Sequence, residues 1–273
     1  MSGRTGRLVI RDLRSPEEFI ETMGVSKAAW GFAERALSPA SDLVAATHAG
    51  GLTAGAFLGG KMVGFVHGIP RTNRGEACQH SHLLAVKPEA QGRGLSVKLK
   101  LYQRAWCLAR GIRLVTWTYD PFLLKNAKLN IGHLRATART FHPNFYGLMG
   151  GIYAGLPSDR FEVAWRLDAP EVVRAAAGEP RPRPDPADLP VASSPRKLPD
   201  AARVLLPFPS GAPRIYRTDH DGTLRERRRF AALVKPLFAR GYAVTDVVVG
   251  TDGTPAYVFD RTQVLKFSKR RTK

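Results

Sequence analysis

The chain has few acidic side chains, almost no cysteine and no long apolar run, and each shortage excludes a class of protein. No stretch of about 18 consecutive apolar residues occurs, which argues against a membrane-spanning helix. The N-terminal residues lead into a charged segment without an apolar leader. Cys78 and Cys107 stand alone, without the spacing of a metal site or a redox pair. We therefore expect a cytoplasmic protein with no membrane partner.

Basic residues far outnumber acidic ones. The 273 residues include 42 Lys and Arg against 23 Asp and Glu, a formal net charge of +19. Ten of the basic residues lie between positions 90 and 143, where Asp120 is the one acid. A charge of this size is compatible with nucleic acid, but no RNA- or DNA-binding motif accompanies it. We expect a small polyanionic ligand at this stretch and regard nucleic acid as the less favoured partner.

A strand followed by a helix is predicted within residues 82–111. The apolar run Leu83–Val86 ends at Lys87 and Pro88, and proline cannot donate to a sheet ladder. From Leu95 onward apolar residues recur every three or four positions, which predicts one face of a helix. The turn between these elements therefore lies at the N-terminus of a helix.

That turn, Gln91–Gly94, has the features of an anion site. The first N–H groups of a helix have no intrahelical partner and carry a partial positive charge. Gly92 and Gly94 leave the backbone accessible, and Arg93 adds a positive charge beside it.

The hexapeptide Gln91-Gly-Arg-Gly-Leu-Ser96, placed after a strand and before a helix, resembles the pyrophosphate loop of the GNAT superfamily of N-acetyltransferases. Ser96 departs from that pattern, which has Gly or Ala there. The resemblance implies an acetyl-CoA or another acyl-CoA as co-substrate, and no metal. It also implies that the residues binding the cofactor are Leu84, Val86, Gln91, Gly92, Arg93, Gly94, Leu95, Ser96 and Asn126.

Other motifs resemble a branch of predicted bacterial acyltransferases that carry a C-terminal extension. They are Ser81-His-Leu83, Trp117-Thr-Tyr-Asp-Pro121, Asn126-Ala-x-x-Asn130, Asn144-Phe-Tyr-Gly147, and Ser158-Asp-Arg160 with Trp165. The resemblance implies transfer of an acyl group, acetyl or succinyl, to a small amine or an amino acid. The open alternatives are a nucleic-acid-associated protein and a non-catalytic acyl-CoA-binding regulator.

Acyl transfer to an amine needs a base and an acid. His82 is the candidate base, because it lies on the predicted strand and an unperturbed imidazole titrates near neutral pH. Glu76 is the alternative. The usual tyrosine acid of the superfamily aligns with Asn130, so Tyr146 is the candidate acid, with Tyr119 as a second choice. His80 and His82 share a strand face, but no third metal ligand accompanies them.

The predicted order of elements, β-α-α-β-β-β-α-β-α-β-β, indicates the α/β (α+β) class. It predicts a mixed, mostly antiparallel sheet with helices on both faces over residues 7–168. A proline-rich linker should follow at 169–200, since 170–213 contains 11 of the 20 prolines. A β-α-β-β block at 201–262 and a basic tail at 263–273 complete the chain. The block should pack on the first domain or on a second subunit, which leaves a homodimer open.

Overall fold

The computed structural model describes residues 6–73, 75–150, 156–208 and 219–262. The chain divides into two compact units. The first unit comprises residues 1–117 with 150–152 and 166–169, and the second comprises 118–149, 153–165 and 170–273. This division differs from the predicted domain boundaries, which stay a prediction. The predicted tail 263–273 lies outside the described residues.

The first unit is built on five strands in the order β1-β2-β3-β4-β5. β1 to β4 pair antiparallel, while β4 and β5 pair parallel. Its strands are β1 (Leu8–Asp12), β2 (Leu52–Leu58), β3 (Lys61–Asn73), β4 (Glu76–Val86) and β5 (Leu114–Tyr119), and the division between units falls within β5. Its helices are α1 (Pro16–Trp30), α2 (Ala40–His48) and α3 (Leu95–Leu108), with 3-10 turns at Glu34–Ala36 and Pro88–Ala90.

Helices cover both faces of the first sheet. On one face Leu95 and Leu99 of α3 pack with Val66, in a cluster that also includes small side chains of β2. On the other face Phe19 of α1 packs with Phe65. Alternate residues of a strand point to opposite faces, so neighbouring apolar residues of β3 serve both clusters.

The second unit contains strands in the order β7-β6-β9-β10-β8. Its strands are β6 (Thr137–His142), β7 (Arg160–Arg166), β8 (Arg203–Pro207), β9 (Ala243–Val249) and β10 (Pro255–Asp260). Its helices are α4 (Leu124–Ala127), a π-helix (Lys128–His133), α5 (Pro170–Ala176), a 3-10 turn (Pro186–Asp188) and α6 (His220–Ala239). β6 pairs with β9 through Ala138 and Val244, so the predicted C-terminal block shares a sheet with earlier strands.

The predicted fold class and order of elements are confirmed, and three local predictions were wrong. The sequence predicts a helix over 122–134, opened by Asp120 and Pro121, but the structure has a single turn of α-helix followed by a π-helix. The sequence also predicts a strand over 138–147, but the strand ends at His142, because Pro143 follows and Asn144 has φ 46°. The proline-rich segment 169–200 contains α5, which begins at Pro170, a favoured first position of a helix.

Within the ranges that the structure describes, no helix combines the length and apolar character that crossing a membrane requires.

Candidate active site

His82 occupies an irregular point of the β3–β4 ladder. His67 of β3 pairs with Leu83, and the next residue of β3, Gly68, pairs with Ser81. His82 is therefore the extra residue of a β-bulge, a feature that bends a strand and re-aims a side chain. The bulge accounts for the exposure of His82 on a strand whose neighbouring residues are mostly buried.

β4 and β5 pair over a short distance next to this bulge. Among the described residues their parallel register contains two pairs, Gln79–Val115 and His80–Thr116, whereas β4 continues to Val86. Backbone N–H and C=O groups on the β5 side of β4 beyond His80 are therefore available to a ligand.

The predicted anion loop lies at the N-terminus of α3. Gly94 is the N-cap residue and no side chain caps it. Gly92 and Gly94 have φ of 77° and 70°, a region that glycine enters without steric cost. A Cβ atom at either position would meet nothing within 4 Å, so the space beside the loop is open. The side chain of Gln91 holds the loop in place, because its Nε2 donates to the Val86 carbonyl at 2.9 Å.

The other predicted cofactor residues of the first unit differ in exposure. Leu95 and Val86 are buried in the core beneath α3, and Leu84 packs against the same cluster. Their side chains pack in the core, so a ligand would meet their backbone, of which the Val86 carbonyl already accepts from Gln91. Arg93 is exposed and Ser96 is half-buried. An uncapped helix N-terminus, two open glycines and an exposed arginine fit the pyrophosphate of a coenzyme A.

Two other imidazoles lie beside His82. The ring centroid of His67 is 6.4 Å away and that of His80 is 6.3 Å away. The part of the chain that the structure describes contains no group of three or more side chains able to hold a metal ion.

A chain of hydroxyl groups leads from α2 to His67. Thr47 donates its one hydroxyl proton to the Leu43 carbonyl at 2.7 Å. Thr53 lies 2.7 Å from Thr47 and therefore donates to it. His67 Nδ1 lies 2.8 Å from Thr53 Oγ1, and the ring also hydrogen-bonds the backbone of Leu52. His67 is therefore held at the end of this chain of hydroxyl groups.

Both His67 and His82 are neutral near pH 7. Burial, and then the neighbouring His82, lower the pKa of His67 to about 4. Partial desolvation lowers the pKa of His82 below the usual 6.5. An exposed, neutral imidazole has a lone pair that can accept a proton from a ligand.

A buried polar cluster lies behind the bulge, against α3. Lys100 is 1% exposed, and its Nζ donates to Ser81 Oγ at 2.9 Å and to Gln103 Oε1 at 2.8 Å. The same amine lies 3.7 Å from the centroid of the Trp117 ring. Burial lowers the pKa of Lys100 to about 7. Ser81 immediately precedes His82, so this cluster fixes the strand at the bulge.

Tyr146 lies in the second unit, in the connection between β6 and β7. Its side chain is 46% exposed, and its hydroxyl is 3.3 Å from Thr118 Oγ1. The backbone N–H of Tyr146 donates to Ser158 Oγ at 2.7 Å, and the N–H of Ser158 donates to Asn144 Oδ1 at 3.2 Å. These bonds hold the exposed tyrosine on an ordered turn.

A buried ion cluster connects that turn to α6. Arg227 is 3% exposed, and its guanidinium donates to Asp120 at 3.0 Å and to Asp159 at 3.2 Å. Asp159 also accepts from the backbone N–H of Asn144 at 3.0 Å. The C-terminal helix therefore supports the segment that carries Tyr146.

The remaining candidates are less suited to acid–base chemistry. Tyr119 is buried, and burial raises the pKa of its hydroxyl. Glu76 is exposed and lies 3.7 Å from Arg166. Asn130 is buried within the π-helix, whereas Asn126 is half-buried on α4.

The first unit thus brings together His82, Leu84, Val86 and the loop 91–96, while Asn126 and Tyr146 belong to the second unit. The sequence prediction missed His67, Lys100 and Arg227. Apolar periodicity predicts which positions of a strand or helix are buried. It does not show when a histidine, lysine or arginine occupies such a position, because these residues usually lie on the surface.

Comparison with known families agrees with this geometry. Residues 10–128 match the model of the "Acetyltransferase (GNAT) family". The match begins in β1 and includes the bulge at His82 and the loop 91–96. It confirms the resemblance of residues 10–128 to this superfamily. A search of curated proteins finds no significant match.

Several solved structures are similar to part of the chain. The ribosomal-protein-S18-alanine N-acetyltransferase of Escherichia coli is 18% identical, with 60% of this chain and 96% of that chain covered and a TM-score of 0.48. A GNAT-family acetyltransferase of Streptococcus pneumoniae is 16% identical, with coverage of 58% and 98% and a TM-score of 0.47. Naa50 of Arabidopsis thaliana, in complex with the bisubstrate analogue CoA-Ac-MVNAL, is 12% identical, with coverage of 57% and 97% and a TM-score of 0.46.

Proposed function

We propose that the chain, whose residues 10–128 match the model of the acetyltransferase (GNAT) family, transfers the acyl group of an acyl-coenzyme A to the amine of a small acceptor such as an amino acid. The observation that carries the proposal is the exposed, neutral His82 at the bulge, on the strand that leads to the glycine loop. The donor would be acetyl-CoA or succinyl-CoA.

The loop 91–96 is assigned to the pyrophosphate. Gly92 and Gly94 expose backbone N–H groups at the start of α3, where the helix dipole favours negative charge. Arg93 adds a charge that pairs with a phosphate oxygen. Backbone groups of Leu84 and Val86 would bind the pantetheine arm, and Asn126 is the further candidate for that arm.

His82 is assigned as the general base. When bound, acyl-CoA supplies a thioester whose acyl carbon joins the amine nitrogen as the carbon–sulfur bond breaks. An amine attacks only when neutral, so His82 would accept the proton that the acceptor ammonium releases. Its lowered pKa keeps the imidazole unprotonated at neutral pH. Tyr146 is the candidate for returning a proton to the departing thiolate.

Release of coenzyme A thiol tests the proposal. Acetyl-CoA and succinyl-CoA are each offered with a panel of amino acids and simple amines. His82→Gln keeps a hydrogen-bonding side chain but cannot act as a base near neutral pH. General-base assistance contributes roughly 10²–10⁴ in rate, so kcat/KM should fall at least about tenfold. Coenzyme A affinity should stay unchanged, because the loop 91–96 is intact.

The matched control is His48→Gln, which changes an exposed histidine at the end of α2. Full activity of His82→Gln would remove the base assignment and leave Glu76 or a water molecule in that role. Coenzyme A binding without thiol release from any acceptor would favour a regulatory protein, a reading consistent with the buried Asn130 at the usual acid position.

A further inference from the structure

A cavity of about 310 Å³ lies in the second unit, outside the stretch that matches the family. It lies at the lower end of the roughly 300–1,000 Å³ typical of ligand sites. The cavity is lined by Arg181, Pro182, Arg183, Pro184, Arg203, Thr245, Asp246, Val258 and Asp260. Its walls are therefore the segment after α5 and one face of β8, β9 and β10.

A β-bulge shapes one wall of this cavity. Val258 of β10 pairs with Asp246, and the next residue, Phe259, pairs with Val244. Thr245 is thus the extra residue of β9. Bulges are over-represented next to functional sites, where they re-aim side chains. Here the bulge gives both Thr245 and Asp246 a place in the cavity wall.

Asp246 contributes a buried carboxylate oxygen without a hydrogen bond. The residue is 1% exposed, and its Oδ1 accepts from the backbone N–H of Val247 at 2.9 Å and from Arg135 at 3.5 Å. Its Oδ2 has no hydrogen-bond partner in the described part of the chain. The Nη1 atom of Arg181 lies 3.6 Å from Oδ2, beyond hydrogen-bond distance. Buried polar atoms are almost always bonded, so a free Oδ2 indicates a missing donor.

The cations of the same cavity differ in their partners. Arg203 and Asp260 satisfy each other at 2.7 Å, and Arg181 donates to the Thr245 carbonyl at 3.1 Å. Arg183 is exposed and forms no ion pair with any residue that the structure describes. Among the described residues, the cavity thus offers one carboxylate oxygen without a hydrogen bond, beside Arg181 at 3.6 Å, and the exposed guanidinium of Arg183.

Ligands of a single charge do not suit this arrangement. A simple anion would pair with Arg183 but approach the carboxylates of Asp246 and Asp260. A simple cation would pair with Asp246 but meet three arginines. Each would leave a charged group of the cavity desolvated and unpaired, which is costly. A ligand with an ammonium at one end and a carboxylate at the other satisfies both.

We propose that this cavity binds a free α-amino acid, with the ligand ammonium donating to Asp246 Oδ2 and the ligand carboxylate accepting from Arg183. The C-terminal part of the chain would then be an amino-acid-binding element, separate from the acyl-transfer residues. The proposal does not depend on the proposed activity, because none of the cavity residues is assigned a role in it.

Thermal melting of the full-length protein with each standard L-amino acid identifies the best probe. Calorimetry then compares that amino acid with its amide, which lacks the carboxylate charge, and with its deaminated acid, which lacks the ammonium. A charge-assisted hydrogen bond contributes about 1.5–3 kcal/mol, so each analogue should bind at least about tenfold more weakly than the amino acid.

Two variants locate the site. Asp246→Asn and Arg183→Ala should each weaken binding at least about tenfold. Arg196→Ala, which changes an exposed arginine of the same proline-rich segment, should leave it unchanged. Arg183 is exposed, so its variant tests the site even if Asp246→Asn unfolds the protein. An amino acid bound only as an acyl acceptor would keep its affinity in Arg183→Ala and would overturn the proposal. Failure of every amino acid to bind, or equal binding of an analogue, would overturn it as well.

Discussion

Replacing Lys100 by methionine is expected to change how the stability of the protein depends on pH. Methionine has nearly the length of lysine but neither its charge nor its donors. Lys100 is 1% exposed, and its pKa is about 7 in the folded protein against 10.5 for an ordinary lysine. The folded state therefore disfavours the protonated amine, and the methionine variant has no such group.

The sign and the size follow from proton linkage. Between pH 7 and 10.5 the unfolded chain binds this proton more strongly than the folded one, so folding stability rises with pH. The destabilisation caused by burying the protonated amine is absent above pH 10.5 and complete below about pH 7. The difference between the two pKa values corresponds to about 5 kcal/mol. When the pH rises from about 7.5 to about 9.5, the titration of Lys100 should therefore increase the free energy of unfolding of the wild type by about 2.5 kcal/mol.

Urea unfolding of wild type and Lys100→Met at those two pH values measures the effect. The methionine variant also leaves Ser81 and Gln103 without their donor, but that cost does not depend on pH and cancels in the comparison. Cys107 stays protonated over this range, because burial raises its pKa to about 12. Lys98→Met, at an exposed position of α3, is the control and should follow wild type. If the free energies of unfolding of wild type and Lys100→Met differed by the same amount at both pH values, Lys100 would titrate as an ordinary lysine and the reasoning would be refuted.

Three further outcomes are expected. Because the pKa of His82 lies below 6.5, the acidic limb of the kcat/KM profile should lie below that pH, and a limb above it would exclude His82 as the base. Gly94→Val should abolish the rise in melting temperature that coenzyme A produces, because a branched side chain disfavours φ 70° and fills the open space beside the loop. If coenzyme A still raised the melting temperature of the variant, the assignment of the loop to the cofactor would be wrong. Arg227→Met should lower the free energy of unfolding by about 3–5 kcal/mol, because it removes the guanidinium that bonds both Asp159 and Asp120, and Asp120 keeps only the longer 3.9 Å contact with Arg160 among the described ion pairs. The adjacent, exposed Arg228→Met should stay within about 0.5 kcal/mol of wild type in chemical denaturation, and equal effects of the two would contradict the buried cluster.

The strand–loop–helix unit around Gly94 was predictable because its signals are local. Pro88 ends the strand region, two glycines permit positive φ, and the apolar repeat from Leu95 sets the helix face. Pro170 followed by Glu171 is also a helix-start signal, but the density of prolines after it suggested a linker without structure.

The π-helix and the end of β6 were harder to predict. Residues 122–134 have the apolar pattern of a continuous helix, and the choice between α and π hydrogen bonding depends on packing around the buried Asn130 and Ile131. The division into units was also not predictable, since it depends on β6 pairing with β9, about a hundred residues later.

By itself, the sequence determined the order of elements, the mixed sheet and the anion loop, because each depends on residues a few positions apart. The tertiary structure decided which ionisable groups have unusual chemistry. The side chain of His82 points outward because the register between β3 and β4 shifts by one residue at the bulge. The pKa of Lys100 is lowered because Trp117 and the strand beneath α3 exclude water from its amine. Asp246 is buried because segments distant in sequence enclose it, and its Oδ2 has no hydrogen bond from the described residues. Desolvation and register depend on contacts between distant residues, and no local pattern records them.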